Sequence, residues 1–120
     1  MTPDDFRSLA LDLKGATESA HMNHPDFRAH GRIFATLGYP DTSTGMVKLP
    51  LPDQKRLIDL HPQVFYPATG AWGLQGSTMV RLEAAKTDVI AHALELAWQN
   101  SAEGAPVKKA KKAAKSTRRS

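Results

Sequence analysis

The stretch "HPDFRAHGRIFATL", residues 24–37, contains two apolar-rich segments separated by the dipeptide His30-Gly31. A two-residue turn that ends in glycine suits the tight connection of an antiparallel hairpin, because glycine adopts the positive φ that such turns require. We therefore predict strands at residues 26–29 and at Arg32–Leu37, joined by this turn. We expect His24-Pro25 to form a β-turn in front of the first strand, with the imidazole hydrogen-bonded locally.

Further strand-like segments flank this hairpin on both sides. In each of them, short apolar runs are bounded by polar, proline or glycine residues, which is typical of strands in an antiparallel sheet. These predicted strands are residues 18–22, Met46–Leu49, Val64–Tyr66 and Thr78–Leu82. With the hairpin, they indicate one antiparallel sheet of five to six strands.

Three segments carry helix signals. The first begins at Thr2-Pro3, where threonine suits the N-cap and proline the first helical position. The second lies between Pro52 and Pro62, and the third follows Thr87, whose helix has an apolar face of Ile90, Ala93, Leu94, Ala97 and Trp98. The resulting order, α-β-β-β-β-α-β-β-α, predicts an α+β fold of two layers, with the helices packed on the sheet.

The charges divide the chain into two parts. Residues 1–100 contain nine Lys/Arg and eleven Asp/Glu, a net charge of −2, whereas residues 101–120 contain seven Lys/Arg and one acid, a net charge of +6. The final segment also has too few apolar residues to offset the entropy of ordering a chain. We therefore predict a folded domain over residues 1–101 and a disordered basic tail over residues 102–120.

The basic tail is the part of the sequence that most favours contact with nucleic acid. A flexible polycation binds DNA phosphates without sequence preference, and its binding weakens steeply with salt. The alternative is a tail that only improves solubility. The predicted DNA-contacting residues of the tail are Lys108, Lys109, Lys111, Lys112, Lys115, Arg118 and Arg119.

Several other classes of chemistry have no support in the sequence. The chain has no cysteine, so disulfides and thiolate sites are excluded, and it has no phosphate-binding glycine loop that opens a helix. Its five histidines form no ligand cluster, and no nucleophile motif is present. We therefore predict a non-enzymatic protein without metal or cofactor. Because no stretch has the length and apolarity of a signal peptide or membrane span, we also predict a cytoplasmic protein with no membrane partner.

Two features of the folded part are candidate binding elements. Four cations on predicted strands could share the open sheet face and contact phosphates: Arg28, Arg32, Lys48 and Arg81. The alternative for them is cross-strand pairing with Glu18, Asp26 or Glu83. The second feature is Trp72, which lies among three glycines in the loop at residues 70–76. We favour a structural role in which its ring folds back and caps one end of the sheet; the alternative is an exposed stacking platform.

The chain also resembles the MmcQ/YjbR family. The resemblance spans about residues 1–100, and the segments that carry it are His24-Pro25-Asp26-Phe27-Arg28, Gly31-Arg32-Ile33-Phe34-Ala35, Val47-Lys48-Leu49, Gly70-Ala71-Trp72-Gly73 and Thr78-x-Val80-x-Leu82. It implies a small α+β fold like that of secretion chaperones. It also implies DNA binding, since family members are compared in shape with a double-wing DNA-binding domain. Another branch of the family has a loop of the type G-Y-H-M-N-K-x-H-W-N, whose lysine and histidines are missing from Gly70–Ser77 here.

Two functions of different classes follow from these observations. The first is a DNA-associated module whose basic tail supplies non-specific affinity, with some help from the sheet cations. The second is a protein- or small-ligand-binding domain that uses a groove near Trp72 and His24.

Overall fold

Six strands and four α-helices make up most of residues 1–103, the part of the chain that the computed structural model describes. In chain order the elements are α1 (Pro3–Leu11), β1 (Thr17–His21), β2 (His24–Ala29), β3 (Arg32–Leu37), β4 (Thr44–Lys48), α2 (Leu51–Leu60), β5 (Phe65–Pro67), α3 (Ala71–Leu74), β6 (Ser77–Arg81) and α4 (Thr87–Glu103). A 3₁₀ turn at Leu82–Ala84 precedes α4. The predicted order is therefore confirmed, with the short helix α3 as an addition.

The six strands form one antiparallel sheet with the order β1-β2-β3-β4-β6-β5. The first four strands are consecutive neighbours, and β6 then pairs with β4 so that β5 lies at the edge. The register places Ala35 opposite Val47, and Val47 opposite Thr78. A bulge interrupts the β2–β3 register between Phe27 and Arg28. This architecture confirms the predicted α+β class.

Helix α1 begins as its sequence predicts. The Thr2 hydroxyl accepts a hydrogen bond from the Asp5 backbone N–H, and the Asp5 carboxylate accepts one from the Thr2 backbone N–H, which completes a capping box. Such caps stabilise a helix by about 1 kcal/mol. The helix buries Phe6 and Ala10 completely, and Gly45 on β4 leaves room for the Phe6 ring to lie against the strand.

The core lies between one face of the sheet and the helices. Phe27, Ala35 and Val47 share that face because they are opposite one another in the register, and all three are fully buried. Helix α4 covers them with its predicted apolar face, in which Ile90 and Leu94 are also fully buried. Each large aliphatic side chain buried in this way contributes about 1.5–3 kcal/mol. Among residues 1–103, no helix combines the length and apolar character needed to cross a bilayer.

The two turns around β2 show where the sequence prediction was right and where it was wrong. His30 and Gly31 both have positive φ, 58° and 76°, and form the predicted tight turn. The turn expected at His24-Pro25 is instead at Met22 and Asn23, which also have positive φ, 53° and 68°. His24 and Pro25 belong to β2. Asparagine tolerates the left-handed region better than most residues, so the turn forms there and the strand starts earlier than predicted.

Candidate functional site

A groove lies where the β2–β3 hairpin, the end of β4 and the last turns of α4 meet. Its volume is about 430 Å³, and its lining residues are Arg28, Gly31, Arg32, Ile33, Lys48, Ala97, Asn100 and Ser101. We call it the basic groove. Three of the four strand cations predicted to act together are therefore brought together.

The antiparallel topology explains why these cations meet. Strand β3 begins at Arg32, and its neighbour β4 runs in the opposite direction and ends at Lys48, so the two side chains lie at the same end of the sheet. Val47 and Leu49 are buried on either side of Lys48, which directs the lysine away from the core. Arg28 comes from β2, next to the bulge.

The three cations do not contribute equally to the charge of the groove. Arg28 donates from Nε and Nη2 to the two carboxylate oxygens of Asp26, at 2.8 and 3.1 Å, and this pairing raises the pKa of the arginine. The Asp26 side chain is only 1% exposed, so its charge is compensated mainly by Arg28. Within residues 1–103, neither Arg32 nor Lys48 forms an ion pair. The basic groove thus offers two cations whose charge is not already neutralised.

Over residues 1–103, none of the three acidic partners predicted for the strand cations pairs with them across strands. Glu18 accepts a hydrogen bond from Arg7 of α1 at 2.9 Å, which raises the pKa of Arg7. Asp26 pairs with Arg28 along the same strand rather than across strands. Glu83 takes part in no ion pair within the described part of the chain. Cross-strand pairing therefore accounts for none of the four cations.

Helix α4 forms the opposite wall of the basic groove. Asn100 donates from Nδ2 to the Lys48 carbonyl oxygen at 3.2 Å, which ties the end of the helix to β4. The Ser101 hydroxyl donates to the Trp98 carbonyl at 2.6 Å, and its oxygen lies 2.9 Å from His30 Nδ1. Because the hydroxyl proton is directed to Trp98, His30 Nδ1 is the donor to Ser101. Sequence reasoning did not identify Asn100 or Ser101, since neither lies in a motif.

Arg81 does not line the basic groove. Strand β6 starts at Ser77, opposite Lys48, and ends at Arg81, opposite Thr44, so Arg81 lies at the other end of the sheet. Its guanidinium carbon is 4.2 Å from the centre of the Tyr66 ring, a cation–π geometry. The prediction that all four cations form one patch is therefore wrong for Arg81.

Trp72 does not cap the sheet. It lies on α3 with 66% of its surface exposed, so the prediction of a buried ring is wrong. The next residue, Gly73, is the one that packs inward, so closely that a Cβ there would overlap the carbonyl oxygen of Ala68. Gln54 also donates to the Gly73 carbonyl at 3.0 Å from beneath. The glycines do allow the tight path that the sequence predicts, with φ of 63° at Gly70.

His24 and Trp72 do not share a groove. His24 is at the start of β2, beside the end of β3, and its ring is 5.5 Å from the Tyr39 ring. Trp72 precedes β6, whose first residue Ser77 lies opposite Lys48. The two side chains are therefore at opposite ends of the sheet, and the single ligand groove predicted between them does not form.

The predicted contacts of the basic tail lie outside the described residues 1–103. This applies to the whole set Lys108, Lys109, Lys111, Lys112, Lys115, Arg118 and Arg119. Helix α4 continues to Glu103, two residues past the predicted domain boundary at residue 101. The helix therefore extends from the wall of the basic groove to the beginning of the cation-rich segment.

The fold and the basic groove together define the class of protein. It is a small α+β protein with a cationic groove at one end of an antiparallel sheet. The model of the YjbR family matches residues 11–100, and the chain belongs to the YjbR family. This confirms the resemblance seen in the sequence. Among curated proteins, no sequence matches the chain.

A solved structure shares the fold. The crystal structure of the Deinococcus radiodurans protein DR2400, with the domain DUF419, is similar with a TM-score of 0.66 and 18% sequence identity. The match covers 81% of this chain and 75% of that protein. At this identity the similarity supports the architecture of the sheet and helices and carries no information on function.

Proposed function

We propose that this chain is a non-enzymatic nucleic-acid-binding protein, acting in the cytoplasm, in which the basic groove and the basic tail contact phosphates. One observation carries the proposal. Asn100 and Ser101 line the groove near the end of α4, and after Glu103 the sequence continues with seven Lys/Arg and no acid over residues 104–120. The cation-rich segment therefore begins, in the sequence, shortly after two residues that line the basic groove.

The expected mode of binding is electrostatic and independent of base sequence. Arg32 and Lys48 are free to neutralise phosphates because no ion pair within residues 1–103 uses them. Residues 1–100 carry a net charge of −2, so affinity cannot come from the overall field of the folded part. The groove supplies about two phosphate contacts and the tail up to about seven, each releasing a counterion.

The groove is poorly equipped for catalysis. Its one hydroxyl, on Ser101, donates its proton to the Trp98 carbonyl and accepts from His30, so no base is placed to activate it. Among the residues that the structure describes, no three His, Asp or Glu side chains are grouped to hold a metal ion. The engaged Ser101 hydroxyl is consistent with a groove that binds a ligand through its cations.

A second candidate function uses the same groove. A volume of about 430 Å³ falls within the range of small-molecule pockets, and its free cations would suit a small anionic ligand such as a phosphate ester. Two results together would favour this candidate. Inorganic phosphate or a mononucleotide would bind and displace nucleic acid, and the tail would make no contribution to nucleic-acid binding.

The test is the salt dependence of binding to a short DNA duplex, measured with full-length variants. Affinity falls as salt rises, so the slope of log affinity against log salt is negative. Replacing the seven tail cations by Gln should reduce the magnitude of this slope by up to about 6, at about 0.9 for each phosphate contact. Arg32→Gln with Lys48→Gln should lower it by about 1.8.

The matched control is Lys55→Gln with Arg56→Gln. It removes the same charge from α2, where Lys55 pairs with Asp59 at 2.9 Å and Arg56 with Asp53 at 2.6 Å. A groove variant that behaves like this control would refute the role of the groove. A tail variant with the affinity and salt slope of the original protein would refute the role of the tail.

A further inference from the structure

Three exposed apolar side chains lie at the same end of the sheet as the basic groove. They are Leu51, Trp72 and Leu74, which are 51%, 66% and 77% exposed, and we call this group the Trp72 platform. Leu51 begins α2 and the other two residues belong to α3. The two segments are joined by the hydrogen bonds from Gln54 to the Gly73 carbonyl and from the Leu49 N–H to the Gly76 carbonyl.

The backbone that presents Trp72 is fixed on several sides. Gln54, itself buried, donates to the Gly73 carbonyl at 3.0 Å and to the Thr78 hydroxyl at 3.1 Å. Gly73 packs so closely on Ala68 that a side chain there would overlap its carbonyl oxygen. A planar group that stacks on Trp72 therefore does not have to order the backbone that carries the ring.

The platform and the groove cations flank the same strand end. Lys48 ends β4 and lies opposite Ser77, the first residue of β6, and Ser77 follows Leu74 by three positions. Neighbouring strands are about 4.8 Å apart. Trp72 and the two cations therefore lie at the same end of the sheet, where one extended ligand with anionic and planar groups can contact both.

We propose that the ligand is single-stranded nucleic acid, with phosphates in the basic groove and an unpaired base stacked on Trp72. The inference rests on the proposed function and specifies the form of nucleic acid. In a duplex the base faces are covered by their neighbours, whereas in a single strand they are free to stack on an aromatic side chain. Within residues 1–103, two cations without ion-pair partners and an exposed indole at the same end of the sheet favour this ligand over an apolar protein surface, which would leave the cations without partners.

The test compares an oligothymidylate with a duplex of the same length, using the full chain and its Trp72→Ala variant. We expect the substitution to weaken single-strand binding by about fivefold or more and to leave duplex binding nearly unchanged. Trp72→Phe should restore most of the affinity because the ring still stacks. Tyr39→Ala is the control: Tyr39 is 63% exposed and lies at the opposite end of the sheet.

A direct readout is the fluorescence of the indole. The chain has two tryptophans, and the second, Trp98, donates from Nε1 to the Lys14 carbonyl. Oligothymidylate should quench the original protein, and the quenching should be lost in Trp72→Phe, in which only Trp98 emits. Quenching that persists in Trp72→Phe would overturn the inference.

The outcomes separate this inference from the proposed function. A protein that binds neither form of nucleic acid would refute the proposed function. A protein that binds both forms equally, with no effect of Trp72→Ala, would still be a nucleic-acid-binding protein, but single-strand stacking would be overturned. Self-association that is lost in Trp72→Ala, without a change in oligothymidylate binding, would also overturn it and assign the platform to a second copy of the chain.

Discussion

Gly73→Ala tests whether backbone packing is what holds α3 and its tryptophan in place. In an ordinary helix this substitution stabilises the protein by up to about 1 kcal/mol, because alanine orders at lower entropic cost than glycine. Here the added methyl would overlap the carbonyl oxygen of Ala68, which belongs to the backbone and cannot rotate away. Helix propensity and the close approach to Ala68 therefore predict changes in the free energy of unfolding of opposite sign.

The expected size follows from three contributions. Forcing a methyl group into a closed space costs about 1–3 kcal/mol. Displacing the Gly73 carbonyl weakens the 3.0 Å hydrogen bond from Gln54, a further loss of about 1 kcal/mol. The gain in helix propensity offsets about 1 kcal/mol of this. The net destabilisation is about 1–3 kcal/mol, which lowers Tm by at least about 4 °C in a domain of this size.

The assay is urea and thermal unfolding of Gly73→Ala beside the original protein and Leu74→Ala. Leu74 is the next residue of α3 and is 77% exposed, so its truncation should change stability little. An equal or higher Tm for Gly73→Ala would refute the close approach between Gly73 and Ala68. A loss no larger than that of Leu74→Ala would refute it as well.

Two further predictions concern carboxylates. Ser43 and Thr44 donate hydrogen bonds to the Asp41 carboxylate at 2.7–2.9 Å and hold its pKa below the ordinary value. The stabilisation from these hydrogen bonds is present at neutral pH and is lost as the pH falls through the lowered pKa, so Asp41→Ala should lower Tm at neutral pH and progressively less in acid. A difference in Tm that does not change with pH would contradict this role of Asp41. Asp26→Asn removes the carboxylate that neutralises Arg28. It should therefore release one more cation and raise the salt slope of DNA binding by up to about 0.9, whereas an unchanged slope would show that Arg28 does not reach a phosphate.

The ends of helices and strands show most clearly which structural features the local sequence predicts. Thr2-Pro3 and His30-Gly31 predict a helix start and a hairpin turn correctly, because each acts through hydrogen bonds and dihedral angles of adjacent residues. The prediction failed at His24-Pro25, where two neighbouring segments could each form the turn. Met22 and Asn23 form the turn between β1 and β2, because asparagine tolerates the positive φ that the turn requires.

The members of the basic groove could be predicted only in part. Cations at Arg32 and Lys48 are visible in the sequence, but their proximity depends on β3 and β4 being antiparallel neighbours. The separation of Arg81 depends on β6 running back along β4. The groove wall from Asn100 was not predicted, since it requires the end of α4 to reach the Lys48 carbonyl.

The sequence by itself determined the order of helices and strands, the family, and the concentration of positive charge after residue 103. These properties follow from local periodicity, capping and composition, which act between residues close in the chain. Only the tertiary structure decided that Trp72 faces solvent and that its neighbour Gly73 is the residue of α3 that packs against Ala68 and Gln54. Whether a side chain is buried depends on distant segments competing for the same volume, and no local pattern records that competition.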